Sequence, residues 1–388
     1  GVAPDHQSIK GVYRRYEKTS LLPNVRFLGN VEVGTHVSLD ELRSLYDAVV
    51  LAVGAPADRA LGIPGDTKKG VIGSAAFVGW YNSHPEFADL NPDLDAKSVV
   101  VIGNGNVAVD VARVLAKTPA EMAESDLAPY AAEKIHASPI ASIWMVGRRG
   151  PLEAKFTPKE LGELGELQGA VALAKTDQLP KLAVEERAAL DPATRKNLEH
   201  LESFASRAAE SGKKTLHMEF FAMPVEILGG EKVEAMRFER TRVEDGKCIG
   251  TGERFDIPCQ LVFPCIGYKS APIAGVPFDE RAGHFVNQEG VVAEGLYATG
   301  WARRGPTGTI GTNRPDGQGI AGKILGASKP SAKPGGAGLD ALLKGRGVSP
   351  VTFTDWKNIE AAEEKAASAP HPRVKFHRIP DLLKAAKG

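Results

Sequence analysis

Residues 98–115, SVVVIGNGNVAVDVARVL, decide the predicted fold of this chain. Four β-branched residues run directly into the pattern Gly103-x-Gly105-x-x-Ala108, and apolar residues at helical spacing follow. This order of strand, glycine turn and helix is the arrangement of a dinucleotide-binding fingerprint. The glycines permit a tight turn close to a pyrophosphate, and the free N–H groups at the helix start attract phosphate. The stretch therefore predicts a nucleotide site, with an ordinary strand-to-helix turn as the alternative.

Two arginines follow the next predicted strand, residues 141–146. Arg148 and Arg149 stand where an NAD site carries an acid for the ribose 2′-hydroxyl, and no Asp or Glu lies beside them. Guanidinium groups suit a 2′-phosphate instead. The pattern favours NADP over NAD, and two solvated arginines on a turn are the alternative.

Two apolar segments that end in glycine predict the boundaries of an inserted domain. Residues 46–54, YDAVVLAVG, and residues 261–267, LVFPCIG, each have the composition of a buried strand followed by a crossing. Between them, residues 175–215 are charged, alanine-rich and helical in period. Residues 217–242 predict two strands that Gly229-Gly230 joins as a hairpin. The expected fold class is α/β.

A second glycine-rich stretch lies far downstream, at residues 295–310, GLYATGWARRGPTGTI. A predicted strand reaches Gly300 and Trp301, and a glycine turn leads to a helix expected over 315–325. N–H groups that converge from such a turn stabilise negative charge on a flavin, and Trp301 would cover a ring face. A tryptophan packed in the core beside a turn is the alternative.

The composition excludes several classes of function. The 388 residues suffice for two domains, and 48 basic residues balance 48 acidic ones, so no net charge draws the chain to nucleic acid or to a membrane. Cys248, Cys259 and Cys265 form no C-x-x-C, which predicts no metal site and favours a reducing, cytoplasmic location. No apolar run is long enough for a membrane helix, and no signal peptide is visible. The chain opens on Gly1 in mid-pattern, so we expect its beginning to be missing.

Five segments, in order, resemble the adrenodoxin reductase and bacterial ferredoxin-NADP reductase family. They are GVAPDH (1–6), VVVIGNGNVAVDVAR (99–113), VGRRGPLEAKFTPKEL (146–161), LVFPCIGYKS (261–270) and LYATGWARRGPTGTIGTN (296–313). The resemblance runs from the first residue to about residue 325. It implies a glutathione-reductase-like flavoprotein with two Rossmann-like dinucleotide-binding domains.

The resemblance also implies the domain order. An NADP domain, residues 58–266, would be inserted in a discontinuous FAD domain, residues 1–57 and 267–330, whose first βαβ unit is missing. Residues 331–388 would form a linker and a C-terminal helical extension.

The family's site residues carry over by position. NADP contacts would fall on Asn104, Gly105, Asn106, Val107, Arg148, Arg149, Glu160 and Gly308. FAD contacts would fall on Val33, Trp301, Gly308, Thr309 and Ile310. His6 and Glu160 would be catalytic, supporting proton supply and ring positioning. Without the resemblance, His6 is an ordinary turn residue and Glu160 an acid that favours the start of a helix.

The activity that the resemblance implies is that of a ferredoxin-NADP reductase in electron transport. NADPH would transfer a hydride to FAD, and single electrons would then pass to a ferredoxin-like iron-sulfur protein. An acidic ferredoxin would favour a basic docking face. The candidate residues for that face are Arg14, Arg15, Lys18, Arg303 and Arg304.

Two other functions stay open at this point. One is an electron-input subunit of the glutamate-synthase type, a class that usually carries cysteine-rich iron-sulfur segments and an ATGD-like turn. Here the cysteines are scattered, and Trp301 follows ATG. The other is a non-catalytic NADP-binding module, which an incomplete FAD half would favour.

Overall fold

The computed structural model describes residues 3–308, 310–327 and 330–388. The chain divides into two compact units, each assembled from separate stretches of sequence. Unit 1 comprises Gly1–Lys10, Asp58–Ile266 and Glu363–Arg378, and unit 2 comprises Gly11–Ala57, Gly267–Ala362 and Ile379–Gly388. No helix among the described residues combines the length and the hydrophobicity needed to cross a membrane.

The helices and strands follow one another along the chain without long irregular stretches. The helices are α1 (Gln7–Lys10), α2 (Tyr13–Ser20), α3 (Leu39–Leu45), α4 (Ser74–Tyr81), α5 (Asn106–Ala116), α6 (Pro129–Ala137), α7 (Pro158–Leu164), α8 (Val184–Ala189), α9 (Pro192–Ala205), α10 (Trp301–Arg304), α11 (Ile310–Ala327), α12 (Gly335–Gly345), α13 (Phe353–Lys365) and α14 (Ile379–Ala386). The strands are β1 (Val49–Leu51), β2 (Ala57–Asp58), β3 (Ser98–Ile102), β4 (Ser142–Val146), β5 (Ala170–Ala174), β6 (Lys214–Glu219), β7 (Ala222–Leu228), β8 (Ala235–Glu244), β9 (Lys247–Pro258), β10 (Leu261–Pro264), β11 (Tyr268–Lys269), β12 (Phe278–Asp279), β13 (His284–Phe285), β14 (Val291–Ala293) and β15 (Leu296–Ala298).

The centre of unit 1 is a five-stranded parallel sheet with the strand order β10-β3-β4-β6-β5. Successive residues of β3 enter different cores, because side chains alternate across a strand. Val99 and Val101 pack with the helices, whereas Val100 and Ile102 pack with the antiparallel strands on the other face. Burial on both faces explains the unbroken apolar run of the sequence.

The antiparallel sheet of unit 1 has the order β7-β8-β9. The strand predicted from residue 217 to residue 228 is wrong as a single element, because it divides between two sheets. β6 ends at Glu219 and β7 begins at Ala222, and the chain turns at Phe221, whose φ is +55°. β9, which the sequence analysis did not predict, completes this sheet.

Residues 1–10 and 363–378 belong to unit 1, which differs from the expected domain boundaries. The backbone N–H of Asp126 donates to the carbonyl of Pro4, and the Asp126 carboxylate pairs with Lys10 and Lys375. Asp126 is only 3% exposed, so these contacts hold residues 3–10 and 363–378 firmly on this unit.

Unit 2 has a smaller sheet, β1-β15-β14, in which β1 and β15 are parallel. The strand expected over 46–54 is confined to Val49–Leu51. Helix α11 begins at Ile310 rather than near residue 315 and contains Pro315. The linker expected at the start of residues 331–388 is in part helical, because α12 begins at Gly335. Leu339 and Leu343 of α12 form a core cluster with Val37.

Candidate functional site

The glycine turn of unit 1 joins the end of β3 to the start of α5. Gly103 has a φ of +141°, and a Cβ there would lie 2.4 Å from the Cys265 carbonyl oxygen, so only glycine fits. No described atom lies within 4 Å of a Cβ built on Gly105. This residue is the N-cap of α5, and no side chain caps the helix. In the described part of the chain, the N–H groups of Asn106 and Val107 have no acceptor, which leaves a site for an anion.

The turn after β4 lies directly beside this glycine turn. The Gly103 N–H donates to the Val146 carbonyl at 2.8 Å, and a Cβ on Gly147 would meet the Asn104 amide at 1.8 Å. Arg148 and Arg149 follow at once. Because the carboxyl ends of parallel strands share one sheet edge, the helix start and the two arginine residues lie at the same edge.

The two arginines lack acidic partners within the described ranges. Arg148 is exposed and Arg149 is half-buried, and neither forms an ion pair there. The Nε atom of Arg149 and the Oδ1 atom of Asn104 are buried, and no described residue forms a hydrogen bond with either atom. Buried polar atoms usually find partners, so this edge has unused capacity for a polar, anionic ligand.

Helix α7 is fixed to the same edge. Asn104 accepts a hydrogen bond from the Lys155 N–H at 2.7 Å, and the Asn106 side chain accepts one from the Thr157 N–H at 2.8 Å. The hydroxyl of Thr157 then caps α7 by accepting from the N–H of Glu160. The glycine turn thereby determines where the acids of α7 lie.

His6 meets two acids of α7. Its Nε2 atom lies 2.8 Å from Oε2 of Glu163 and 3.7 Å from Oε2 of Glu160. The hydrogen bond to Glu163 raises the pKa of His6, although burial and Arg113 oppose the change. Burial and the nearby Asp110 raise the pKa of Glu160. Burial acts in the same direction on Glu163, but the hydrogen bond from His6 and the charge of Arg113 outweigh it and lower the pKa of Glu163.

Arg113 is the fully buried cation of this cluster. Its Nη1 atom lies 3.2 Å from Glu160 and 3.3 Å from Glu163. On its other side it binds both carboxylate oxygens of Asp5, at 2.8 and 3.1 Å. Burial would raise the pKa of Asp5, but Arg113 and Lys117 outweigh it and hold the pKa below its ordinary value. The sequence neighbour of His6 is thus an anchor for the first residues of the chain.

The His6, Glu160 and Glu163 side chains also satisfy the spacing of metal ligands, since one ligand atom from each lies within 4.8 Å of the others. Arg113 already supplies the positive charge between the two carboxylates, at 3.2 and 3.3 Å. A cation in this place would have to displace it, so the donor set does not suit a metal.

The flavin-type corner predicted from the sequence lies in unit 2. β15 ends before Gly300, whose φ is +62°, and the Trp301 ring N–H donates to the Thr307 carbonyl at 3.1 Å. Gly308 also has a positive φ, +81°, and Ile310 begins α11. Thr309 lies outside the described residues. The Thr299 hydroxyl at this corner is buried and has no hydrogen-bond partner among the described residues.

Val33 lies elsewhere in unit 2. It is 50% exposed and forms an isolated bridge with Val37 rather than a strand. The predicted site residues of unit 1, from His6 and Asn104 to Glu160, lie in one connected set. In unit 2, Trp301, Gly308 and Ile310 lie in a second set.

Comparison with known proteins decides the family. A family model described as pyridine nucleotide-disulphide oxidoreductase matches residues 10–139. The chain is 41% identical to NADPH-ferredoxin reductase FprA of Mycobacterium tuberculosis, covering 100% of this chain and 89% of the relative. It is 39% identical to the mitochondrial NADPH:adrenodoxin oxidoreductase of Homo sapiens, over 99% of this chain and 83% of the relative. This chain belongs to the adrenodoxin reductase and ferredoxin-NADP reductase family.

A solved structure of M. tuberculosis FprA in complex with NADPH gives a TM-score of 0.94 at 39% identity, over 100% of this chain and 89% of that one. The expected family and α/β fold class are therefore confirmed. As in these reductases, the fold is that of a flavoprotein with two dinucleotide-binding regions.

Three residues of this reductase's acid–base cluster were missed in the sequence. Glu163 lies three positions after Glu160, on the same side of α7, so helical spacing could have identified it. Arg113 interrupts the apolar pattern of α5, and a charge on an apolar helix face indicates a buried partner. Asp5 gave no signal, because its partners are 108 and 112 positions away.

Proposed function

We propose that this chain is an NADPH-dependent flavoprotein oxidoreductase, a ferredoxin-NADP reductase, which transfers a hydride from NADPH to FAD and single electrons onward to a ferredoxin-like iron-sulfur protein. One observation carries the proposal. An uncapped helix start and two arginines without acidic partners share one sheet edge in unit 1. The helix start matches a pyrophosphate, and the two arginines match a 2′-phosphate. The presence of both groups distinguishes NADPH from the other common nucleotide cofactors.

We assign NADP to unit 1 and FAD to unit 2. Asn104, Gly105, Asn106 and Val107 would surround the pyrophosphate with backbone N–H groups, and the Arg148–Arg149 pair would bind the 2′-phosphate. The unpartnered Asn104 Oδ1 and Arg149 Nε atoms support this fit.

The corner of unit 2 fits FAD by the chemistry of its donors. Trp301 supplies a ring, Gly308 gives backbone access, and Ile310 opens an 18-residue helix whose N-terminus favours negative charge. Thr309, which follows Gly308 in the sequence, and Val33, which lies elsewhere in unit 2, are the remaining proposed FAD contacts. When bound, FAD supplies the exchange between a two-electron donor and a one-electron acceptor.

His6 and Glu160 are the proposed catalytic side chains. Because the hydrogen bond to Glu163 stabilises the charged imidazole, His6 holds a proton on Nε2 more readily than a free histidine. Glu160, whose pKa is also raised, lies 3.7 Å from the imidazole and is the carboxyl group proposed to exchange a proton with it. The cluster therefore supplies and holds protons, and it fixes the orientation of α7.

The partner is an acidic iron-sulfur protein, docked by transient electrostatic contact. Arg14, Arg15 and Lys18 are exposed on α2 and have no ion-pair partner in the described ranges. Arg303, in contrast, pairs with Asp316 at 2.5 Å, and Arg304 donates to Asn313. The charge of Arg303 is therefore already paired, and Arg304 is held by a neutral amide, whereas within the described residues the basic side chains of α2 keep unpaired charges for docking.

Full-length similarity to NADPH-ferredoxin reductases favours this function over a glutamate-synthase subunit. A cytoplasmic location is also proposed, since the three cysteines are free thiols, as a reducing compartment requires.

The experiment is purification with added FAD, followed by calorimetric titration with NADP⁺. We expect a yellow protein that NADPH bleaches under anaerobic conditions. A colourless protein that binds NADP⁺ and ignores FAD would favour the non-catalytic module instead.

A further inference from the structure

The carbonyl oxygen of Arg148 accepts two hydrogen bonds from the β8–β9 hairpin. The Thr241 hydroxyl donates to it at 2.6 Å, and the Cys248 thiol donates at 3.1 Å. Thr241 lies on β8 and Cys248 on the neighbouring β9. The hairpin thus holds one peptide group of the arginine turn from two sides.

The carbonyl groups on either side are held by Phe221, which precedes β7, and by Ala222, its first residue. The Gly147 carbonyl accepts from the N–H of Ala222 at 3.0 Å, and the Arg149 carbonyl accepts from the N–H of Phe221 at 3.2 Å. Three consecutive carbonyl groups of the turn are therefore occupied by residues of one neighbouring substructure. The Arg148 and Arg149 side chains project from a backbone that is fixed at each residue.

Thr241 is itself well fixed. It is 6% exposed, and its N–H donates to the Phe221 carbonyl at 2.9 Å. The preceding residue, Arg240, pairs with buried Glu219 at 2.5 Å and lies over the ring of Phe255. Glu219 ends β6, next to β4, so the hairpin is tied to the parallel sheet that carries the arginine turn.

We propose that Thr241 is a positioning residue for 2′-phosphate recognition, acting through the Arg148 peptide, with Cys248 as a weaker second donor. The inference rests on the proposed function, since it assigns the 2′-phosphate to Arg148 and Arg149. Two guanidinium groups bind one phosphate well only when their directions are set in advance, because ordering them on binding costs free energy. The Thr241 hydroxyl provides that order without contacting the nucleotide.

The test compares Thr241→Val with Thr241→Ser, which keeps the hydroxyl. The matched control is Thr251→Val, which removes a hydroxyl-to-carbonyl bond of the same hairpin, from Thr251 to Arg240 at 3.0 Å. The probes are adenosine 2′,5′-bisphosphate and AMP, with binding measured by calorimetry. Thermal unfolding of each variant checks that it is folded.

We expect Thr241→Val to weaken binding of the bisphosphate about fivefold, the value of one hydrogen bond, and to leave AMP binding unchanged. With the FAD-loaded protein, KM for NADPH rises by about the same factor, kcat stays nearly constant, and NADH kinetics do not change. Thr241→Ser restores the wild-type values, and Thr251→Val matches wild type. Cys248→Ala, a milder change at a half-exposed residue, shows a smaller loss in the same direction.

The possible failures are distinguishable. If the wild-type protein binds the bisphosphate no better than AMP, it does not recognise the 2′-phosphate, and the proposed function is wrong on this point. If the wild type discriminates and Thr241→Val discriminates equally well, the positioning role of Thr241 is overturned. Equal weakening of AMP and bisphosphate would also overturn it, because that pattern marks a general structural role.

Discussion

The imidazole Nε2 of His6 lies 2.8 Å from a carboxylate oxygen of Glu163, 157 positions later in the chain. The contact joins the first residues of the chain to the helix that follows the arginine turn, and both lie in unit 1. The same hydrogen bond raises the pKa of His6.

Substitution Glu163→Gln is expected to lower the pKa of His6, because the strongest stabilising partner of the imidazolium loses its charge. The measurement is an NMR titration of the His6 ring in the wild type and the variant. Glu166→Gln, at an exposed position just beyond α7, is the control and should leave the pKa unchanged. An unchanged pKa in Glu163→Gln would show that the contact does not exist in solution.

The raised pKa of His6 also makes stability depend on pH. The folded state binds the proton more tightly than the unfolded state, in which the pKa is about 6.5. The stabilisation is fully present below pH 6.5 and is lost as the pH rises through the folded-state pKa. We expect His6→Gln to remove this part of the pH dependence, measured as urea midpoints across that interval. A variant with the wild-type slope would contradict the assignment.

Substitution Arg113→Met should destabilise the protein by about 3–5 kcal/mol, because it removes the fully buried cation that pairs with the Asp5 and Glu160 carboxylates and leaves Asp5 only Lys117. Denaturant unfolding monitored by circular dichroism measures the loss. Arg187→Met is the control, since Arg187 forms its ion pair with Glu202 at the surface. The control is expected to be close to wild type, and similar losses in both variants would refute the special role of Arg113.

Two glycines of the same turn should respond differently to alanine. Gly103→Ala places a Cβ 2.4 Å from the Cys265 carbonyl at a positive φ, so it should cost about 2 kcal/mol or more of stability. Gly105→Ala meets no described atom and should fold normally, yet its methyl group would occupy the place proposed for the pyrophosphate. We expect it to weaken NADP⁺ binding severalfold in calorimetry. Normal NADP⁺ binding by Gly105→Ala would place the nucleotide elsewhere.

Substitution Arg148→Gln or Arg149→Gln should reduce the preference for NADPH over NADH about 10-fold to 100-fold, the value of a charge-assisted hydrogen bond. The loss should appear as a higher KM for NADPH with NADH kinetics unchanged. Lys181→Gln, at an exposed position of unit 1, is the control. An unchanged preference in both arginine variants would mean that another site recognises the 2′-phosphate.

The sequence predicted those parts of the fold in which local pattern and tertiary environment agree. The apolar run of β3 and the glycine turn are such a case, because a buried parallel strand has a distinctive composition. The break at Phe221 could not be foreseen, since a positive φ at phenylalanine carries no local signature. Contacts such as Asp5 with Arg113, or Thr241 with Arg148, join distant positions of the chain, so they follow only from the three-dimensional fold.

The most direct test of the central claim is the steady-state reduction of an acidic ferredoxin by the FAD-loaded protein, with NADPH or NADH as the donor. We predict rapid reduction with NADPH, a much lower kcat/KM with NADH, and a rate that falls as salt screens the docking face. Equal use of the two donors, or no transfer to ferredoxin from a protein that NADPH does reduce, would contradict the account.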